Sequence, residues 1–532
     1  MSKDARFRLT SLAMVCLGSA ALLLPSAAVA KGCIDTLPDQ PRQPPASLWG
    51  ELQPVGVIWD STAYNGDQLA DSHYPQATHV DVENGWLFVS YWAGFEILSL
   101  QDPENPVKMK LIDGWTPGSF PQWITGTSSE IDQFIYTLDA PEGDDTLLAV
   151  GGISPMGLSI WDTTNKSAPV PMYQDAFGKE ISQVYAATIG GRAYAFAGGA
   201  FGGAEYGLFI YDMTEARNRQ YNGCVEDVTN GVHTCPGVYV GKIGTGNDKT
   251  QYVHGMQFGS KQYLVLSPGQ SSSHFVRIVD VSDPHNPLTV VTGFTGIGLP
   301  NFTSGVAIWQ QNNSAYLAVR LQNSLQVFDV TSCLTNGCAA LPAPMANLAV
   351  DPLVVSNNWK TVTFSRAGGK PMLFLGNHDL CHTGDSYQHS EYILDMSDPT
   401  QPRDITPAAT TTYLGETVDY WSWYYADTVK GFAFSAPRAG KFYNAPNGNV
   451  YLYRADLTLL DIHKWMGGGA PAASFIWGPT VVYAGDTVTF NDTSGGPVTS
   501  RSWSFQDGNL LTGAAGIWWP QPARVTKRPP RK

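Results

Sequence analysis

The chain has 532 residues, 46 acidic against 32 basic side chains and a formal charge of −14; 43% of it is hydrophobic, 12% aromatic and only 15% charged. That much apolar surface offsets ordering entropy and excludes a disordered chain, and no G-X-Y or heptad pattern points to collagen or a coiled coil. The acidic balance argues against a nucleic-acid partner, which needs a basic face.

Residues 1–30 read as a secretory signal peptide. Lys3, Arg6 and Arg8 form a basic start, Leu12 to Leu24 an apolar core too short to span a bilayer comfortably, and Ala28-Val29-Ala30 a small-x-small cleavage site. Pro25 argues against a membrane anchor, and no later segment reaches the length of an apolar span, so no transmembrane segment is expected in the mature chain. Its destination is expected to be secreted, periplasmic or cell-surface. Of the seven cysteines, Cys16 leaves with the signal. Cys224/Cys235 and Cys333/Cys338 each bracket a short loop and read as disulfides of an oxidising compartment. Cys33 and Cys381 remain, either paired with each other or, for Cys381, a free or metal-bound thiol.

Residues 31–74 form a lead segment in which Val55-Gly-Val-Ile-Trp-Asp60 resembles an outer strand without a blade around it. From 75 to 465 the chain repeats. A short apolar strand ending in Asp recurs at Ser159–Asp162, Phe209–Asp212, Arg277–Asp280, Gln326–Asp329 and Tyr392–Asp395. Two weaker copies flank these: Glu96–Ser99, with Ser in the Asp position, and Tyr451–Arg454, with Arg. Seven copies recur about every 59 residues, the texture of a repeat fold. Asp-Pro-x-x-Pro turns follow three of them, at 102–106, 283–287 and 398–402, where proline ends a ladder.

The first copy shows the whole unit: Thr78–Val82, a turn at Glu83-Asn-Gly85, Trp86–Tyr91, a turn at Ala93-Gly94, Phe95–Leu100 and Val107–Ile112. Four short strands joined by Asn, Gly and Pro turns make one antiparallel sheet. Seven such sheets close most economically as a radial β-propeller, which protects edges that a linear array would expose. The 55–60 strand then closes the last blade, and the long spacing implies loops on one face, 215–250 and 378–390 among them.

The stretch Ile278-Val-Asp-Val-Ser-Asp-Pro-His-Asn-Pro287, with the Asp395 and Ser99 copies, resembles the LVIVD repeat of bacterial and archaeal surface proteins. That resemblance implies a propeller and leaves its molecular role unassigned. After the glycine-rich linker that begins at 466, alternating strands and the run Trp503-Ser-Phe-Gln-Asp-Gly508 resemble the start of a polycystic-kidney-disease-type (PKD) domain, an immunoglobulin-like β-sandwich used as an extracellular spacer or binding module. Gln506 stands where that family has Gly. The resemblance stops at 508, and 509–532 is expected to be an irregular basic tail, a truncated or frame-shifted end.

Candidate chemistry is spread over several places. His79 and His254 each open a blade's first strand, which lines the channel of a propeller. With His378 or His382 they could build a three-histidine metal site; singly they are channel polars bonded to water or carbonyls. The densest ligand cluster is His378, Asp379, Cys381, His382, Asp385 and His389, suited to Cu, Zn or Fe, or else a hydrogen-bonded loop. Glu142-Gly-Asp-Asp145 offers hard oxygens to Ca²⁺ or is simply solvated. Tyr420, Trp421, Trp423, Tyr424 and Tyr425 could stack on sugar rings or pack between blades. No nucleophile elbow, P-loop or dinucleotide fingerprint is present. The expected function is a secreted or surface module binding extracellular carbohydrate or protein; the rival is a metal-dependent extracytoplasmic oxidoreductase or hydrolase.

Overall fold

The computed structural model describes residues 50–58, 77–91, 94–113, 135–152, 157–175, 180–201, 207–219, 224–226, 235–244, 250–268, 276–292, 305–321, 324–350, 360–377, 391–407, 439–455 and 460–467, and the backbone of short strands within 410–419 and 475–518. The signal-peptide segment, Cys33, the 378–389 cluster and the aromatics at 420–425 lie outside the described residues.

Seven four-stranded antiparallel sheets stand in a ring, strands given from the channel outward. Blade 1 is Ala77–Glu83, Trp86–Tyr91, Gly94–Ser99 and Val107–Asp113; blade 2 is Ile135–Asp139, Leu147–Gly152, Leu158–Asp162 and Val170–Asp175. Blade 3 is Glu180–Ile189, Arg192–Phe201, Gly207–Asp212 and Tyr239–Ile243, and blade 4 is Tyr252–Phe258, Lys261–Ser267, Arg277–Asp280 and Leu288–Thr292. Blade 5 is Val306–Gln311, Ser314–Arg320, Ser324–Asp329 and Ala346–Ala349; blade 6 is Lys360–Ala367, Lys370–Asn377, Tyr392–Asp395 and Arg403–Asp404. Blade 7 is Ala439–Asn444, Val450–Ala455, Leu460–Trp465 and, outermost, Leu52–Ile58. Each inner strand lies against that of the next blade, and blade 7 returns to blade 1. The chain is thus a seven-bladed, all-β propeller.

The hydrophobic core is divided accordingly into slabs, one at every junction of neighbouring blades. Both faces of most strands are therefore buried, which is why the strands read as apolar runs rather than strict alternation. The first-blade turn is as read: Asn84 and Gly85 take φ of 49° and 81°, the left-handed pair of a tight hairpin.

Six of the seven signature copies are the third strand of a blade, and the backbone explains the motif. In blades 1 to 4 a bulge against the outer strand falls beside the signature isoleucine, at Ile97, Ile160, Ile210 and Ile278. The residue that ends the strand then caps the turn leaving it: Asp162, Asp280, Asp329 and Asp395 each accept the backbone N–H two residues on, and Ser99 does the same with its hydroxyl. Asp212 instead caps the short helix Met213–Asn218. The seventh copy is a correction. Tyr451–Arg454 lies in the second strand of blade 7, whose third strand is Leu460–Trp465, and Arg454 is drawn inward to buried Asp461 and Glu391.

Closure by the N-terminal strand holds, over Leu52–Ile58, paired antiparallel with Leu460–Trp465. Glu51 pairs with Arg403 of blade 6, and Gly56 packs so closely on the Glu104 carbonyl of blade 1 that a Cβ there would sit 2.8 Å from it.

Both expected local disulfides form, Cys224–Cys235 and Cys333–Cys338. Each belongs to an excursion between the third and fourth strands, of blades 3 and 5. Each excursion leans back on the preceding blade: Cys224–Glu226 adds a parallel fifth strand to blade 2, and Cys338 bridges Val291 of blade 4. The loop expected at 378–390 on the same face as 215–250 lies outside the described residues. Beyond the propeller, Phe475–Gly478, Val488–Asp492 and Ala515–Trp518 form one sheet, and Ser502–Ser504 pairs with Leu510–Thr512. Two of those strands fall in the stretch expected to be irregular. No helix among the described residues is long and apolar enough to cross a membrane.

Candidate functional site

Inner strands present alternate residues to the channel. Many of those side chains first tie one blade to the next. Asp81 accepts the Ala140 N–H at 2.9 Å, Asp139 that of Ala186 at 2.7 Å, and Gln183 that of Val253 at 3.1 Å. His254 Nδ1 accepts the Ile308 N–H at 3.2 Å, and Ser365 that of Phe442 at 3.1 Å. Lys441 closes the ring on Asp81 at 2.8 Å. At the remaining junction the buried Arg320 donates to carbonyls of blade 6. In blades 1 to 3 a bulge precedes His79, Thr137 and Gln183 and re-aims them.

Inside this ring is a cavity of 740 Å³, open at the end where the inner strands finish. Its lining is divided. Blades 1, 2 and 7 contribute His79, Glu83, Asp139, Glu142 and Lys441; blades 3 to 6 contribute Tyr185, His254, Trp309 and Phe364. On the second side the rings touch in sequence: Tyr185 to His254 at 5.6 Å, His254 to Phe364 at 5.9 Å, and Phe364 stacked on Trp309 at 6.0 Å.

The electrostatics follow from burial and from one ammonium group among three carboxyls. Burial pushes the Glu83 carboxyl up to about 8, helped by the Asp81 charge, and raises Asp139 well above the carboxylate range for the same two reasons. Burial works to raise Asp81 too, but the Lys441 ammonium and the Ala140 N–H outweigh it and hold it below its ordinary value. Lys441 is disfavoured by burial yet kept well above its ordinary value by Asp81, Asp139 and Glu83. Burial lowers His79 to about 4, against the pull of Asp81, and His254 to about 3, with Lys441 adding to the effect. Both histidines are neutral near pH 7.

Of the sequence candidates, the structure places His79 and His254 on the cavity wall, in blades 1 and 4. They are engaged separately: one His79 nitrogen donates to the Leu138 carbonyl, and His254 holds blade 5. His378, Asp379, His382 and His389 lie outside the described residues, as do Tyr420, Trp421, Trp423, Tyr424 and Tyr425. Among the described residues no group of three or more His, Cys, Asp and Glu side chains is arranged to hold a metal ion. In the 142–145 loop, Asp145 pairs with Lys166 at 2.6 Å and accepts from Asn84 at 3.0 Å. Asp81, Glu83, Asp139, Lys441, Tyr185 and Trp309 escaped the sequence reading; the signal present was polar alternation within an inner strand, as in His79-Val-Asp-Val-Glu83.

No family model matches the chain, and no curated protein matches it. Among solved structures it is similar to Raptor from Chaetomium thermophilum, at 11% identity and a TM-score of 0.43, covering 77% of this chain and 29% of that one. A likeness that weak carries no functional argument.

Proposed function

We propose that the chain is an exported binding protein whose propeller holds an extracellular carbohydrate or protein ligand at the mouth of its channel. The observation that carries this reading is the cavity, with aromatic rings on one wall and hydrogen-bonding carboxyls on the other, the composition of a recognition site. The two disulfides support an oxidising compartment. The LVIVD-like repeats and the PKD-type segment, both by resemblance, support display outside the cytoplasm.

A glycan array and a cell-wall pull-down test it. The chain should retain a ligand, and Gln257→Trp, which places bulk at an exposed position of the cavity lining, should lose it. A chain that retains nothing overturns the reading. Stoichiometric copper, zinc or iron in elemental analysis of periplasmically expressed protein would overturn it in favour of a metal-dependent enzyme.

A further inference from the structure

Two buried carboxyls and an unpartnered acceptor stand on the same wall of the cavity. Lys441 pairs with Asp81 and is shared through space with Glu83 and Asp139, whose buried and crowded carboxyls keep their protons near pH 7 and would ionise on the arrival of a second cation. Each commits one oxygen to the backbone, Glu83 to the Gly143 N–H at 2.8 Å and Asp139 to that of Ala186 at 2.7 Å. His79 is the independent sign. It is 8% exposed, its ring lines this cavity two residues before Asp81, and its Nδ1 has no hydrogen-bond partner. A buried acceptor without a donor is uncommon in a folded protein and calls for one. Because the other ring nitrogen donates to Leu138, Nδ1 presents a lone pair, which an N–H of a ligand would satisfy.

The facing wall fits the rest of such a ligand. Tyr185 and Phe364, the latter backed by the buried Trp309, offer aromatic surface, which takes hydrocarbon and attracts cations. The remaining charges are accounted for. Glu142 lies on the acidic side, Arg366 donates to the Gln310 and Gly369 carbonyls, and Lys370 faces Asp395 at 3.7 Å.

We propose that this channel binds a primary organic ammonium ion, its N–H groups donated to Glu83, Asp139 and His79 Nδ1 and its hydrocarbon part laid on Tyr185 and Phe364. The assignment rests on reading the channel as the ligand site and names the chemical class that site takes.

Titration calorimetry of the full chain with phenethylamine and its neutral isostere 2-phenylethanol tests it. The amine should bind at least about tenfold more tightly than the alcohol. Glu83→Gln and Asp139→Asn keep an acceptor for the Gly143 and Ala186 N–H groups, so both variants should fold. Each should weaken the amine about fivefold or more and leave the alcohol unchanged. Equal affinity for amine and alcohol, undiminished amine binding in both variants, or no amine binding overturns the assignment. A glycan that the chain retains and that the amine does not displace leaves the binding reading standing while the ammonium assignment falls. Absence of any ligand removes both.

Discussion

At the residue scale, His79 and Glu83 face the same channel from one strand and respond to pH in opposite senses. His79 has a folded value of about 4 against an ordinary 6.5, so the unfolded chain binds the extra proton between those values. Its contribution is complete above pH 6.5 and is lost as pH falls toward 4. Glu83 has a folded value of about 8 against an ordinary 4.5, so the folded chain keeps a proton that the unfolded chain has released. Its effect is to lower stability as pH rises from 4.5 to 8. Each slope is at most about 1.4 kcal/mol per pH unit, less for Glu83, which retains some solvent contact. Between pH 4.5 and 6.5 the two oppose each other. Measured by urea unfolding as a difference from the parent chain, so that the other buried groups cancel, the stability of His79→Gln should gain on the parent as pH falls from 6.5 to 4, whereas that of Glu83→Gln should gain on it as pH rises from 4.5 to 8. Parallel curves for the two variants would mean that neither group is desolvated in the folded chain.

At the scale of the element, the recurring Asp is a turn cap first and a charge second. Asp280 accepts the Ser282 N–H at 3.0 Å and pairs with Lys261 at 2.8 Å, while the exposed Asp329 caps the Thr331 N–H at 2.9 Å. Asp280→Ala should cost about 1–2 kcal/mol, Asp329→Ala about half of that, and Asp280→Asn, which keeps the acceptor, less than Asp280→Ala. Chemical denaturation midpoints of the three variants check the order. This is why the blades were legible: a strand that must end in a side-chain acceptor leaves a fixed residue at a fixed place. Blade 7 was misplaced because Tyr451-Leu-Tyr-Arg454 imitates the pattern with a polar residue at its end, while the true third strand carries its Asp at position 461, near the start, and buries it against Arg454. The channel was not legible for the opposite reason. By register Asp81, Asp139, Tyr185, His254, Ser365 and Lys441 occupy the same level of six inner strands, yet only the two Asp repeat a residue type, since each answers to a different neighbour. Only the two histidines stood out in sequence, and both proved to have hydrogen-bonding duties of their own.

At the scale of the molecule, the ring is held shut by its least local strand. Leu52–Ile58 is made before blade 1 and pairs with Leu460–Trp465 of blade 7, so it must wait for nearly the whole propeller before it has a partner. Long-range pairing of this kind forms slowly and is lost together with everything it bridges. Three blades meet at this segment. The strand hydrogen-bonds blade 7, Glu51 pairs with Arg403 of blade 6, and Gly56 abuts the Glu104 carbonyl in the turn of blade 1. That same turn receives the Tyr453 hydroxyl at 2.8 Å, through the Pro103 carbonyl, and the Tyr451 hydroxyl at 3.0 Å, through Glu104. Gly56→Val removes no hydrogen bond and adds no charge, but it cannot enter without pushing the strand off the turn. It should lower the thermal midpoint by at least about 5 °C and speed unfolding. A valine at half-buried Gly241 in the outer strand of blade 3, where a Cβ meets nothing within 4 Å, should change little. If the two substitutions cost the same, closure at the N-terminal strand contributes no more than any other strand edge. If Gly56→Val alone is costly, and the loss appears as one cooperative transition rather than as an early melting of blade 7, the velcro strand governs the stability of the whole ring.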